Sequence, residues 1–148
     1  MLLRRERAMT AVAIMLDVAF HAGRTEAVSA ADIAERLGQA RRGIEPVLQA
    51  LSRAGLLDSI RGPKGGYRLG RPPRDLRLAE IVATALDEDA APDAPAGRLQ
   101  AAVIAPLWAE MEALCREHLS RLTIADLIKR AAAAGVKRPT VEPLNFVI

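Results

Sequence analysis

The chain has 148 residues, of which 51% are hydrophobic and 26% charged, a length and composition suited to one globular domain that folds without a metal or disulfide scaffold. One cysteine cannot close an intramolecular disulfide, and one thiol with two histidines supplies no zinc or iron–sulfur ligand set within one chain, so neither metal nor cofactor is expected. No apolar run approaches the roughly 20 residues of a membrane span, and the single thiol suits a reducing compartment, so the expectation is a cytoplasmic protein with no membrane partner.

The formal charge is +3, unevenly spread. Residues 1–78 hold 14 Lys and Arg against 8 Asp and Glu, a net +6; residues 79–148 hold 7 against 10, a net −3. A basic first half suits a polyanion, and the acidic remainder suits another task.

Met9, Val12, Ala13, Leu16, Ala19 and Phe20 recur at helical spacing and predict a first helix over about Arg7 to Ala22, stopped by Gly23. Ser29 reads as an N-cap with Asp32 three residues on, opening a short helix with Ile33 and Leu37 that ends at Gly38. A third helix runs from Arg42 or Gly43 to Ala54, with Ile44, Val47, Leu48 and Leu51 on one face, Pro46 in its first turn and Gly55 closing it. Leu56 to Ile60 and Tyr67 to Leu69 read as strands around a basic tip, Arg61-Gly62-Pro63-Lys64-Gly65-Gly66. A helix over Leu78 to Leu86 follows, then an acidic, Ala/Pro-rich loop over 87–97. The longest helical pattern carries Ile104, Leu107, Trp108, Met111, Leu114, Cys115, His118 and Leu122 on one stripe, with Pro106 marking its first turn. Thr123 and Asp126 cap a last helix that ends at Gly135, and the tail from Val136 looks extended.

Helix, short helix, helix and glycine-tipped hairpin is the order of a winged helix-turn-helix, whose third helix enters the major groove while the wing reaches the flanking minor groove. The expected fold is mainly α with a small β-hairpin wing: a head over 1–86, the 87–97 loop, a dimerisation helix and C-terminal helix over 98–135, and a tail over 136–148. Arg41, Arg42, Glu45 and Gln49 lie on the face of the third helix left free by its apolar stripe. Arginine can fork onto guanine, glutamine onto adenine, and glutamate can accept from cytosine. Arg61, Lys64 and Arg68 surround the wing, where guanidinium suits a narrow groove and ammonium a phosphate. The tip glycines would let the wing backbone approach DNA. Taken singly these residues have plainer readings: an arginine pair as solubilising surface, Glu45 as a favourable charge near a helix start, Gly65-Gly66 as turn chemistry. Their coincidence at the two places a winged helix offers a duplex favours the DNA reading.

Ala31-Asp32-Ile33-Ala34-Glu35-Arg36, the run Ala54-Gly55-Leu56-Leu57-Asp58-Ser59-Ile60-Arg61-Gly62-Pro63-Lys64-Gly65-Gly66-Tyr67-Arg68-Leu69-Gly70-Arg71, and Leu78-Ala79-Glu80-Ile81-Val82 resemble the Rrf-two family of bacterial transcription regulators over about residues 2–130. The wing is the most specific element. The resemblance implies a homodimer joined through the long helix, reading a near-palindromic operator in double-stranded DNA, most often as a repressor. Glu45 matches a position where the family commonly has glutamate, and Arg61 matches the wing arginine that the family places in the minor groove. Arg41-Arg42-Gly43 departs from the family's small or aromatic residues, so its known operators do not transfer. Cluster-binding members carry three cysteines between the fourth helix and the long helix; residues 87–105 here contain none, so no such cluster is expected.

The inducing signal stays open among a protein partner, a small-molecule effector and thiol oxidation. Cys115, three residues before His118 on the long helix, is the candidate sensor; core packing is the simpler account of both, and a metal shared across a dimer the weaker one. An enzyme is not expected, because no nucleophile with a base, phosphate loop or carboxylate pair stands out. Single-strand RNA binding is disfavoured by 3% aromatics, too few for stacking platforms.

Overall fold

In the computed structural model, which describes residues 5–23, 26–86 and 96–139, the core is built around helix α1 (Arg5–His21). Ala11, Ile14, Met15 and Val18 are its most deeply buried residues, while Met9 is exposed and Val12 and Phe20 are half-buried. The buried stripe is therefore rotated from the one the spacing predicts. The helix is apolar on most sides, so periodicity alone cannot choose its inner face; packing against its neighbours does.

Helix α2 (Ala30–Leu37) begins at Ser29, whose Oγ accepts a bond from the Asp32 amide at 3.1 Å, and stops at Gly38, where the backbone turns left-handed (φ 62°). Asp17 of α1 is buried and receives a two-pronged bond from Arg36 of α2, Nε to Oδ1 and Nη2 to Oδ2, each 2.9 Å. The carboxylate holds the Arg36 guanidinium in its charged form, raising its pKa mainly through that hydrogen bond.

Helix α3 (Arg41–Arg53) buries Ile44, Val47, Leu48 and Leu51 as the spacing predicts. It starts one or two residues earlier than expected, which places Pro46 in the second turn. Pro46 and Arg42 are both exposed, so the Arg42 carbonyl, deprived of its usual donor by the proline, lies on the solvated side.

Strands β1 (Leu57–Ile60) and β2 (Gly66–Leu69) pair antiparallel, Leu57 opposite Leu69 and Ile60 opposite Gly66. A rung beyond the hairpin joins Val28 to Tyr67 through two 2.8 Å backbone bonds. That rung changes the role of the wing glycines. A Cβ on Gly66 would overlap the Val28 carbonyl, one on Gly65 the Ile60 carbonyl, and one on Gly70 the Gly55 carbonyl. These three glycines admit the protein's own backbone; Gly62 (φ 115°), with open space around it, is the one that frees the tip.

A 3-10 turn (Pro73–Asp75) leads into α4 (Leu78–Leu86), whose bounds are the predicted ones. Of the predicted 87–97 loop, residues 87–95 lie outside the described residues. Pro106 lies in the first turn of the next helix, as expected. A π-turn (Gln100–Ile104) precedes α5 (Ala105–Ser120), and Pro106 stands at the second position after it, where a residue with no N–H suits the change of ladder. Helix α6 (Ile124–Ala133) opens with a full capping box between Thr123 and Asp126. Backbone bonds from Leu78 to Leu122 (2.9 Å) and from Ile124 to Leu76 (3.0 Å) tie its start to the head, where Ile124 is completely buried. Beyond α6, Arg138 lies 6.0 Å from the Phe20 ring centroid, and residues 140–148 are outside the described set.

Helix α5 buries no residue within the chain. Leu107, Trp108 and Leu114 are exposed on it, as are Leu99, Val103 and Ile104 in the segment leading in.

Candidate nucleic-acid interface

The start of α3 is chemically unlike that of α2 or α6. Its N-cap is Ala40, with no side-chain bond, and its first turn holds Arg41 and Arg42 with no acid. Cations at the positive end of a helix cost roughly 0.3–1 kcal/mol each, a penalty that an adjacent polyanion reverses in sign. Arg41 and Glu45 are joined, Arg41 Nε donating to Glu45 Oε1 at 3.1 Å, so two of the predicted base readers meet each other one turn apart. Arg42 is exposed and has no ion pair among the described residues.

Gln49, one turn on, lines an open groove of about 320 Å³ with Ser52 and Arg53 of α3, Ser59 of β1 and Tyr67 of β2. The recognition-helix candidate and the hairpin thus wall a common depression. Arg53, Ser59 and Tyr67 were missed as site residues; the signal for Arg53 was its place four residues after Gln49, while Ser59 and Tyr67 arrive only through the hairpin register, which pairs them.

Of the wing residues, Arg61 and Lys64 are exposed at the tip with no ion pair among the described residues. Arg68 differs: it sits opposite Asp58 in the strand register, Nε 3.7 Å from Oδ2, so part of its charge is already answered within the hairpin.

Metal-donor chemistry is thin. Cys115 is half-buried and His118 exposed on α5, while His21 Nδ1 is 2.9 Å from the Asp17 carbonyl oxygen at the end of α1. Among the described residues no three His, Cys, Asp or Glu side chains come together as a metal would require. Nor does any described helix have the length and apolarity to cross a membrane.

A three-helix head in which the third helix lies against a glycine-tipped antiparallel hairpin, with basic residues on both, defines a winged-helix DNA-binding protein. The pattern of the Rrf2 family, described as an iron-dependent transcriptional regulator, matches residues 5–130. The chain is 35% identical over 124 residues to the HTH-type transcriptional regulator IscR of Vibrio atlanticus (strain LGP32), covering 80% of this chain and 70% of that one. It is 34% identical over 133 residues to a putative HTH-type transcriptional regulator, ORF2, of Azotobacter vinelandii, covering 86% and 80%. Among solved structures, IscR of T. potens superposes with a TM-score of 0.69 at 31% identity, covering 86% of this chain and 87% of that one. CymR of B. subtilis, the global cysteine regulator, superposes with a TM-score of 0.65 at 27% identity, covering 84% and 94%. The chain belongs to the Rrf2 family of transcriptional regulators. The iron in the family's description does not fit the donors present: a chain with one thiol cannot supply the thiolate set that holds an iron–sulfur cluster.

Proposed function

We propose that the protein is a homodimeric, sequence-specific repressor that works without an iron–sulfur cluster. Residues 1–86 form the DNA-reading head, and 98–135 carry the dimerising arm. Arg41, Arg42, Glu45 and Gln49 read or flank bases in the major groove, and Arg61, Lys64 and Arg68 serve the wing. The observation that carries this reading is the groove shared by α3 and the hairpin, lined by Gln49 and the exposed Arg53, on two elements that also carry the exposed Arg41, Arg42, Arg61 and Lys64. Dimerisation is supported by Leu107, Trp108 and Leu114 of α5, which the rest of the described chain leaves exposed. A two-fold dimer presents its recognition helices to half-sites about 34 Å apart or a multiple, so a small movement between heads changes affinity steeply, and an occupied operator excludes polymerase.

Selection of genomic fragments by the purified protein tests this reading. The expected product is a near-palindromic site bound with steep salt dependence, because phosphate contacts release counterions. Arg61→Ala should weaken the selected site far more than an unrelated duplex; equal loss on both would make Arg61 a phosphate contact only. Recovery of no common sequence would reject the proposal.

A second reading concerns control. Cys115 is the chain's one thiol and lies on the arm, half-buried, and a structural relative, CymR of Staphylococcus aureus, has been solved in an oxidised form. Control by Cys115 oxidation requires that peroxide change operator affinity in the native protein and not in Cys115→Ser. If neither responds, a small-molecule or protein effector carries the signal.

A further inference from the structure

Glu45 has two ways to contribute to base reading: it can accept from cytosine itself, or it can hold Arg41. The geometry points to the second, and we infer that Arg41 is a guanine-reading residue of this protein and Glu45 its positioning residue. This rests on the DNA-binding reading above and adds the base that is read.

The bond between them uses Nε of Arg41 and Oε1 of Glu45, at 3.1 Å. A guanidinium is a planar fork with five N–H groups, so a bond at Nε leaves the Nη1 and Nη2 edge free to bond elsewhere. That edge matches the O6 and N7 acceptors of guanine in the major groove. Glu45 removes rotamer freedom from a long side chain before DNA arrives, which lowers the ordering cost of the base contact. The pair is also reachable: the side chains are 63% and 45% exposed. Helix stability does not explain it. Arginine preceding glutamate by four residues is the weaker order of an i,i+4 pair, and Arg41 occupies the end of the helix where a cation is disfavoured. Gly43 lies between them in sequence with open space where a Cβ would be, so no side chain there crowds a base edge approaching the fork.

The alternative assigns Arg41 and Glu45 to separate bases. In that arrangement Glu45 Oε2, which the Arg41 bond leaves free, would accept from a cytosine amine, and substitutions of Arg41 and Glu45 would then act at different base positions.

The test uses the full chain and a pool of duplexes randomised across the bound region. Wild type should enrich one guanine per half-site whose replacement by adenine lowers affinity on the order of ten- to a hundredfold. Replacing it with 7-deazaguanine, which lacks the N7 acceptor, should lower affinity as well. Arg41→Ala should abolish the preference at that position. Glu45→Ala should shrink the guanine-to-adenine affinity ratio at the same position, and Glu45→Gln, whose amide oxygen still accepts from Nε, should restore part of it. The inference is overturned if Arg41→Ala leaves every preferred position intact, or if Glu45→Ala alters a different position from Arg41→Ala. Failure of wild type to enrich any sequence would instead overturn the DNA-reading proposal on which it rests.

Discussion

Replacing Leu107 and Leu114 together by alanine tests whether the bare face of α5 is the dimer interface. In the single chain these residues are 47% and 67% exposed, and neither belongs to the core. Burying a whole leucine side chain is worth roughly 1.5–3 kcal/mol. The exposed fractions scale this to about 1 kcal/mol for Leu107 and about 1.5 kcal/mol for Leu114 if a partner covers them. An isologous interface counts each residue twice, giving about 5 kcal/mol per dimer, or between three and four orders of magnitude in its dissociation constant. Sedimentation velocity across a concentration series should therefore find dimers for the native chain and monomers for the double variant at micromolar protein. Circular dichroism of the monomeric variant should still show a folded head, since no core contact is removed. An unchanged dimer constant would refute the assignment of this face.

Three further outcomes are expected, two in the head and one at the start of α6. Gly66→Ala drives a methyl into the Val28 carbonyl, so we expect a stability loss of at least about 2 kcal/mol, read as a lower urea midpoint, whereas Gly62→Ala, with open space around it, should show only the smaller cost of a strained φ. Asp17→Ala leaves Arg36 without its partner; because the Asp17 side chain is 7% exposed and that of Arg36 33%, the loss should be about 2 kcal/mol, below the range for fully buried pairs, and a double-mutant cycle with Arg36→Ala should return a coupling above about 1 kcal/mol. Additive losses would show the pair to be incidental. The Asp126 carboxyl is held below its usual 3.8, chiefly by the bond from the Thr123 backbone amide and then by the Thr123 hydroxyl. Its contribution is present above the unfolded-state value and is lost as pH falls through the lower folded-state value; acid titration of α6 helicity should show a step below about pH 4 that Asp126→Asn removes.

The elements with explicit punctuation were legible. Ser29 and Gly38 bracket α2, Thr123 with Asp126 opens α6, and α4 occupies the segment that its apolar spacing marks. What escaped was decided by neighbours distant in sequence. The inner face of α1 depends on helices that arrive later in the chain, Gly66 of the wing on a rung to Val28, and the buried Asp17 on Arg36, 19 residues away. Pro46 was misplaced for a related reason: a proline excludes a bond without saying which turn of the helix it occupies, whereas Pro106 stands in the first turn of α5 as its spacing marks. For the site, the spacing put Arg41, Glu45 and Gln49 on the free face of α3, yet the bond between the first two, which their i,i+4 placement allows, went unread.

The rung between Val28 and Tyr67 bears on how a signal can act. It fastens the segment entering α2 to the wing strand that returns toward the core, so ribbon and helix pair share one hydrogen-bonded frame. Swinging the wing alone would break both bonds and push Gly66 away from the carbonyl it is shaped to accept. A regulatory input reaching this protein therefore finds the head stiff, and in the proposed dimer the freedom left to it is the distance and tilt between two such heads. Ligands or partners that alter the packing of the α5 arms would then switch the operator off as a pair of calipers loses its object, by changing span while the tips keep their shape.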